Sequence, residues 1–314
     1  MSGSMVIITG ATGFIGRALC RRLIRSGYDI AVLTRDRNKA KSVCGDQAVV
    51  VQWDGRTSAG WLELASRAEA VVNLAGENIG AGRWTEERKA RIQGSRAAAG
   101  AAVIDGLRLA SPRPKTLIQA SAVGFYGPRG DEGVDEASSG GEGFLAETVR
   151  IWEESTKEAE TLGVRRVVIR SGLVLDTGGG VLPRFVLPFK FFVGGKLGSG
   201  EQWISWIHRD DEVEAIRCLL RRTDLSGVFN LVAPEPVRMK EFVRALGRAM
   251  KRPSLFSVPA FALKWIFGQM AEETILSGQR VLPKALLRED FGFLYPDLKP
   301  ALRQIFSESP GDGS

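Results

Sequence analysis

The chain has 314 residues, of which 44% are hydrophobic and 25% charged, as in an ordinary soluble globular protein. No apolar run is long enough to span a bilayer, and the first residues lack a signal-peptide pattern, so we expect a cytoplasmic protein with no membrane partner. Three scattered cysteines exclude a disulfide framework, and no metal site is expected. The formal net charge of +7 is spread over small basic groups, so no nucleic-acid partner is expected.

A glycine-rich turn follows the first predicted strand, residues 5–8. It reads Gly-Ala-Thr-Gly-Phe-Ile-Gly and leads into apolar residues at helical spacing. A strand, a glycine turn and a helix N-terminus in this order form a phosphate cradle, with the glycines allowing a sharp turn, close approach of a pyrophosphate and close helix packing. The alternative is a plain tight turn. The pattern predicts that a dinucleotide contacts Gly10, Thr12, Gly13, Phe14, Ile15 and Gly16.

The second predicted strand, Asp29–Thr34, ends in a sequence that bears on the choice of cofactor. NAD-binding folds usually place an acidic residue here for the ribose 2′-hydroxyl, whereas NADP binders place an arginine. Arg35 comes first and can grip a 2′-phosphate, while Asp36 could serve the hydroxyl instead. We expect Thr34 and Arg35 to contact the cofactor, and we expect the cofactor to be NADP.

Strand and helix patterns alternate to about residue 170. The third predicted strand, residues 48–53, precedes Asp54, which is placed either to accept a bond from the adenine amine or to form a turn. Further strands are predicted at residues 70–74, 116–120 and 166–170, and helices at residues 85–109 and 144–162. The alternation predicts an α/β fold, a Rossmann-type doubly wound parallel sheet.

The character of the chain changes after residue 175, where a Gly-Gly-Gly sequence opens a stretch rich in proline and aromatic residues. A short strand is predicted at residues 228–232, and helices at residues 239–250, 260–267 and 271–280. We therefore expect a core at residues 5–175 and a smaller, mostly helical lobe at residues 176–314, with the chain returning to the core sheet. A small-molecule substrate would bind between them. The aromatic residues from Phe185 to Trp206 would line an apolar pocket or form a protein interface, and a homo-oligomer is possible.

The motifs together resemble the extended short-chain dehydrogenase/reductases. More narrowly, the chain resembles their atypical branch of epimerase family proteins, which includes the plant giant-chloroplast protein and members described as cell-division inhibitors. The segment from about residue 270 to residue 283 is similar to that branch's own C-terminal domain of unknown function. The resemblance covers nearly the whole chain, and the sequences that carry it are Gly10–Gly16, Asn73–Ile79, Arg83–Thr85, Gly94–Arg96, Ser121–Gly127, Arg170–Leu175 and Trp206–His208.

The resemblance implies NADP-linked oxidoreductase or epimerase chemistry. It also implies cofactor contacts from the loop after the fourth strand, at Leu74, Ala75 and Gly76, and from Val174. Arg96 falls on the long helix where the superfamily brings a polar residue near the cofactor, although a surface cation would fit the same position.

The catalytic residues of the wider superfamily are a Ser or Thr and a Tyr-x-x-x-Lys pair, in which Lys lowers the Tyr pKa for proton exchange. The Ser/Thr position is Ala122 here, and the helix at residues 144–162 has neither the Tyr nor the matching Lys. Ser121 and Tyr126, just past the fifth strand, are the remaining candidates, with a packing role as the alternative for Tyr126. Two hypotheses follow, namely an NADP-dependent oxidoreductase or epimerase-like enzyme with another proton donor, and a catalytically silent NADP-binding sensor or scaffold.

Overall fold

The computed structural model describes residues 4–307, and its centre is a parallel sheet of seven strands in the order β12-β7-β5-β4-β1-β2-β3. β4 and β1 lie side by side inside the sheet, and the direction of winding reverses between them, as in a doubly wound fold. Within the described residues the strands are β1 (Met5–Thr9), β2 (Asp29–Thr34), β3 (Ala48–Gln52), β4 (Ala70–Asn73), β5 (Thr116–Ala122), β6 (Gly133–Val134), β7 (Arg165–Ser171), β8 (Leu173–Leu175), β9 (Gly195–Leu197), β10 (Trp203–Ile204), β11 (Trp206–His208), β12 (Gly227–Leu231), β13 (Val237–Arg238), β14 (Phe256–Val258) and β15 (Arg280–Val281).

Helices cover both faces of this sheet. The α-helices of the described chain are α1 (Phe14–Arg25), α2 (Arg37–Cys44), α3 (Leu62–Ala65), α4 (Glu86–Leu109), α5 (Phe144–Glu154), α6 (Glu158–Thr161), α7 (Leu182–Lys190), α8 (Arg209–Arg221), α9 (Met239–Met250), α10 (Ala260–Phe267), α11 (Gln269–Thr274), α12 (Lys284–Arg288) and α13 (Leu298–Ser307).

Alternate residues of the central strands supply two separate cores. On β1, Val6 and Ile8 face one side and join a cluster with α1 and α8, for example at Leu19. Ile7 faces the other side and packs with α4, for example at Val103. Because successive side chains of a strand point to opposite faces, an almost continuous apolar strand is what a sheet covered on both sides requires.

The C-terminal lobe has its own apolar core, built mainly from α7, α9 and α13. Phe189 and Trp206 are buried in it, and the ring of Phe185 lies 5.2 Å from that of Phe242. These aromatics of the predicted pocket therefore stabilise the lobe. Phe191 and Phe192, by contrast, are exposed.

The predicted Rossmann-type sheet is confirmed, and the chain does return to it at β12, which pairs with β7. Two predicted helices were wrong in extent. The helix predicted at 144–162 breaks after Glu154, where the Ser155 and Thr156 hydroxyls bond the carbonyls of Trp152 and Glu153.

The helix predicted at 271–280 ends at Thr274, and the chain then forms β15 beside β6. A Cβ at Gly278 would lie 2.0 Å from the carbonyl oxygen of Trp203, so the chain passes too close to a neighbouring backbone for a helix there. The predicted division into a core at residues 5–175 and a lobe at residues 176–314 remains a prediction. The last seven residues of that lobe, 308–314, lie outside the part of the chain that the structure describes.

Candidate functional site

The glycine-rich turn joins β1 to α1 in the conformation that the sequence predicts. Gly10 has a φ of +69°, and a Cβ there would lie 2.7 Å from the carbonyl oxygen of Leu74. A Cβ at Gly16 would lie 2.4 Å from the oxygen of Gly10, so helix and turn touch without side chains between them. Gly13, by contrast, is exposed and is the N-cap of α1.

The N-terminus of α1 is open to an anion. No side chain of residues 4–307 caps it, and its first turn carries no acidic residue. The N–H groups of a first helical turn have no partner within the helix, and the helix dipole is positive there. Thr12, Phe14 and Ile15 lie around this end of the helix and are partly exposed. The geometry fits the pyrophosphate of a dinucleotide.

A buried polar row fixes the loop that follows β4 against the cradle. The hydroxyl of Thr9 donates to Oδ1 of Asn73 at 2.6 Å and accepts the N–H of Ala75 at 3.2 Å. Asn73 in turn donates to Oε1 of Gln119 at 2.9 Å. All three polar side chains are fully buried, so they align the carboxyl ends of β1, β4 and β5.

Arg35 lies at the carboxyl end of β2 with an exposed side chain. Within the described chain its guanidinium makes no hydrogen bond or ion pair, whereas its carbonyl accepts from Gln52 at 2.7 Å. Asp36 has another task, because it caps α2 by accepting the N–H of Lys39 at 3.0 Å. The arginine is therefore available to a phosphate, and the competing carboxylate is engaged in a helix cap.

Asp54 closes a turn after β3. Its Oδ1 accepts the N–H groups of Arg56 and Thr57 at 2.8 and 3.0 Å, and these bonds lower the pKa of the carboxyl. The turn that the sequence offers as an alternative is therefore present. The side chain is exposed at the same sheet edge as Arg35, and its contact with adenine stays a prediction.

Arg96 is buried beneath the loop after β4. Its Nη1 donates to the carbonyl of Glu77 at 3.1 Å, and its guanidinium carbon lies 4.6 Å from the ring centre of Trp152. Burial lowers the pKa of Arg96 to about 10. A Cβ at Gly76 would lie 3.1 Å from the guanidinium, so the loop and the long helix meet here. The surface-cation alternative is excluded by this burial.

The loop after β8 covers the start of α1. A Cβ at Gly179 would lie 2.6 Å from the ring of Phe14, and Nη2 of Arg17 donates to the carbonyl of Gly178 at 3.0 Å. Val174, at 8% exposure, contributes its carbonyl to the same region, 3.2 Å from the Cβ position of Gly180. The loop after β8, in the second half of the chain, therefore forms one side of the cradle.

The candidate Tyr126 is fully buried. Its hydroxyl donates to Oδ1 of Asn230 at 2.8 Å and accepts from Nη1 of Arg170 at 3.0 Å. Burial raises the pKa of this phenol. The contacts give Tyr126 a place in the core, and its role as a proton donor stays a prediction.

Ser121 belongs to the same network. Its hydroxyl donates to Oε1 of Glu153 at 2.5 Å, and Arg170 holds that carboxylate with two bonds of 2.8 and 3.0 Å. The guanidinium carbon of Arg170 also lies 3.4 Å from the ring centre of Phe125. No pattern in the sequence marks Glu153, Arg170 and Asn230 as a unit, because only the fold brings β5, α5, β7 and β12 together.

Apolar side chains face the loop after β5 from α5. A Cβ at Gly124 would lie 3.5 Å from Cβ of Leu145 and 4.0 Å from a methyl group of Val149. These two residues are four apart, the spacing of the superfamily's Tyr and Lys. The helix they occupy, α5, contains neither residue type.

The carboxylate of Glu273 occupies the N-terminus of α5, where it accepts the N–H groups of Phe144 and Leu145 at 3.2 and 2.9 Å. This contact could not be predicted from a local pattern, because Glu273 lies on α11, far along the chain from α5.

The single histidine, His208, has a structural role. It is fully buried as the N-cap of α8, where Nδ1 accepts the N–H of Asp210 at 3.1 Å. Nε2 lies 2.8 Å from Oε1 of Gln304, and burial lowers the pKa of the ring.

Comparison with known proteins supports the fold. Residues 6–149 match the NAD dependent epimerase/dehydratase family, and residues 258–305 match a domain of unknown function, DUF1731. Epimerase family protein YfhF of Bacillus subtilis (strain 168) is 38% identical over 304 residues, which cover 96% of this chain and 98% of that protein. The chain belongs to the epimerase family.

Two further members of this family are similar to this chain along nearly its full length. The Arabidopsis thaliana protein named epimerase family protein SDR39U1 homolog, chloroplastic, is 41% identical over 305 residues, or 96% of this chain and 86% of that one. The crystal structure of human epimerase family protein SDR39U1 (isoform 2) with NADPH superimposes with a TM-score of 0.85 at 31% identity, covering 97% of this chain and 99% of that one.

The predicted family and its C-terminal domain are therefore confirmed, and the chain is an NAD(P)-dependent epimerase family member with a Rossmann-type fold. Among residues 4–307 no helix is long and apolar enough to cross a membrane, and no group of acidic, histidine and cysteine side chains could hold a metal ion.

Proposed function

We propose that this protein binds NADP(H) and acts as an oxidoreductase or epimerase-like enzyme on a small molecule that is not yet identified. The observation that carries the proposal is the N-terminus of α1 behind Gly13, with the guanidinium of Arg35 at the neighbouring strand end; within residues 4–307 no side chain caps the first and no group pairs with the second. One site suits the pyrophosphate and the other suits a 2′-phosphate.

NADP is favoured over NAD because Arg35 is available to a 2′-phosphate, whereas Asp36 caps α2. The carboxylate that would bind a ribose hydroxyl is bonded to the N–H of Lys39. The human relative was solved with NADPH, which supports the same choice.

The residues expected to hold the cofactor follow from these contacts. The α1 N-terminus would bind the pyrophosphate, and Leu74, Ala75 and Gly76 would flank it from the loop after β4. Arg96 would position that loop from below through its bond to the carbonyl of Glu77. When bound, the nicotinamide would supply or accept a hydride.

The proton must then come from a group other than a Tyr-Lys pair. Leu145 and Val149, at the corresponding spacing on α5, are apolar and lie beside the loop after β5. Tyr126 on this loop and Ser121 near the end of β5 remain the candidates, and the hydroxyl of each would have to leave a buried partner before reaching a substrate. We therefore expect slow proton transfer, or a proton supplied by substrate or solvent.

A second function, binding of NADP without turnover, is favoured by the buried contacts of the two candidate proton donors. The hydroxyls of Ser121 and Tyr126 both bond to other protein groups, and the side chains of α5 beside them, Leu145 and Val149, are apolar. Such a site suits a sensor or scaffold. Its readout would be a change of partner binding when the cofactor binds.

The test is oxidation of bound NADPH by a broad panel of carbonyl compounds, with the Gly13→Val variant as a control that should not bind cofactor. Oxidation by any compound, absent in the control, supports the enzyme. Cofactor binding without oxidation by the whole panel supports the sensor, and failure to bind either NADPH or NADH would overturn both.

A further inference from the structure

The C-terminal lobe exposes a large apolar surface. It comprises Phe191 and Phe192 after α7, Leu255 and Phe256 at β14, and Phe261 and Trp265 on α10. These six residues define what we call the apolar surface. A contiguous exposed apolar patch on a folded chain usually marks a binding site.

The three segments of the apolar surface are neighbours. β14 pairs with β9, so that Phe256 lies beside Gly195, and its N–H donates to the carbonyl of Gly194 at 3.3 Å. Gly194 follows the turn that carries Phe191 and Phe192. Phe261 and Trp265 are one turn apart on α10, which begins two residues after β14 ends.

The side chains of the apolar surface protrude into solvent. Leu255 is 86% exposed, Trp265 80%, Phe261 75% and Phe191 70%. Protruding aromatic tips suit a soft, flat phase that they can enter, whereas protein partners usually hold their anchoring residues in pockets.

The charges within the two segments that carry the apolar surface are all of one sign. Residues 187–200 contain Lys190 and Lys196, residues 250–268 contain Lys251, Arg252 and Lys264, and neither segment contains an aspartate or a glutamate. The guanidinium carbon of Arg252 lies 4.5 Å from the ring centre of Phe192. Acidic neighbours come from other segments, as where Glu272 lies 2.8 Å from Lys264.

We propose that the apolar surface docks the protein on an anionic phospholipid bilayer, with the aromatic side chains in the headgroup region and the lysines and Arg252 against lipid phosphates. Aromatic tips with flanking cations are the two features that interfacial binding needs. The sequence-based expectation of no membrane partner rested on the lack of a spanning segment, which surface docking does not require.

A second copy of the chain is a poorer occupant. In a two-fold symmetric contact the same patch meets itself, so the cations of these segments in one copy would face the same cations of the other.

The test is flotation of the purified full chain with vesicles of phosphatidylcholine alone and of phosphatidylcholine with phosphatidylglycerol. We expect binding only to the anionic vesicles, weakened by salt. The double variant Phe261→Gln/Trp265→Gln should bind at least about tenfold more weakly. Lys251→Gln/Lys264→Gln should bind roughly 25-fold more weakly, at about fivefold for each cation.

Matched controls are Leu109→Gln, an apolar residue 62% exposed on α4, and Lys115→Gln, both expected to bind as the parent does. Every variant should keep its NADP affinity, which separates this proposal from the cofactor site. Parent protein that ignores anionic vesicles, or binds neutral ones equally well, overturns the proposal. A dimer that Phe261→Gln/Trp265→Gln dissociates, or an acidic protein partner that it releases while vesicle binding persists, overturns it as well.

Discussion

The hydroxyl of Tyr126 lies 2.8 Å from Oδ1 of Asn230, a residue 104 positions later in the chain. Asn230 also donates to the carbonyl of Leu282 at 3.1 Å, and its N–H donates to Oε1 of Glu136. The phenol therefore links the loop after β5 to the edge strand β12 and to the C-terminal segment.

Tyr126→Phe should lower the free energy of unfolding by about 1–3 kcal/mol, because Oδ1 of Asn230 and Nη1 of Arg170 lose a buried partner. NADP affinity should not change. Urea denaturation and cofactor titration measure the two effects, with Tyr28→Phe as the control. A fall in turnover of about 10²–10⁴ at unchanged stability would instead assign the phenol to proton transfer.

Arg35→Asp should reverse the preference between cofactors, since the new carboxylate repels a 2′-phosphate and can accept a 2′-hydroxyl. A charge-assisted phosphate contact is worth roughly 1.5–3 kcal/mol, so NADP affinity should fall by about one to two decades. Titration of NADP and NAD against both proteins measures it. The control is Arg25→Asp at the opposite end of α1, and unchanged NADP affinity in Arg35→Asp would remove this residue from the site.

Gly13→Val should give a folded protein that does not bind cofactor. The nearest atom to a Cβ at Gly13 is the Gly10 oxygen at 3.0 Å, and the position is exposed where the pyrophosphate must approach. Gly16→Val, in contrast, should lose stability, because its Cβ would lie 2.4 Å from the same oxygen. Circular dichroism and cofactor titration distinguish the two, and normal NADP binding by folded Gly13→Val would place the cradle elsewhere.

Glu212→Gln should make stability less dependent on pH. The carboxyl is fully buried, Oε1 accepts from Ser171 at 2.5 Å, and Oε2 has no hydrogen-bond partner among residues 4–307. Burial raises the pKa of Glu212 to about 8 from its ordinary 4.5. Between these values the folded protein holds a proton that the unfolded chain has lost, so stability falls as pH rises, by up to about 1.4 kcal/mol per pH unit.

Urea denaturation of the parent and of Glu212→Gln across this pH window tests the assignment. The two should be similar near pH 4.5, and the variant should be more stable near pH 8 by on the order of a few kcal/mol. Parallel curves for the two proteins would mean that Glu212 titrates in the folded state as it does in the unfolded chain.

Local patterns in the sequence predicted the first half of the molecule well. The strand, glycine turn and helix around Gly13 are adjacent in the chain, and Thr85 caps α4 by accepting the N–H of Arg88, as its chemistry suggests. The proline-rich segment was harder to predict as a helix. Its helix, α7, has Pro183 in the first turn and tolerates Pro188 in its interior because it packs on the core of the lobe.

The polar network around Tyr126 could not be predicted, since its members come from separate elements. Glu153 and Arg170 each look like surface charges in their own segments, yet they form a buried ion pair at 2.8 Å, at side-chain exposures of 14% and 5%. They meet because α5, which carries Glu153, packs on β5, and β7, which carries Arg170, lies beside β5 in the sheet.

The late position of β12 in the sequence also determines when the central sheet can be completed during synthesis. β7 is complete at Ser171, but the strand that covers its outer edge ends at Leu231, after α7 and α8. The nascent sheet must therefore expose an unpaired edge while some sixty residues are synthesised, a delay of several seconds at about 5–20 residues per second. We expect this interval, rather than the cofactor cradle, to be where chaperones engage the chain.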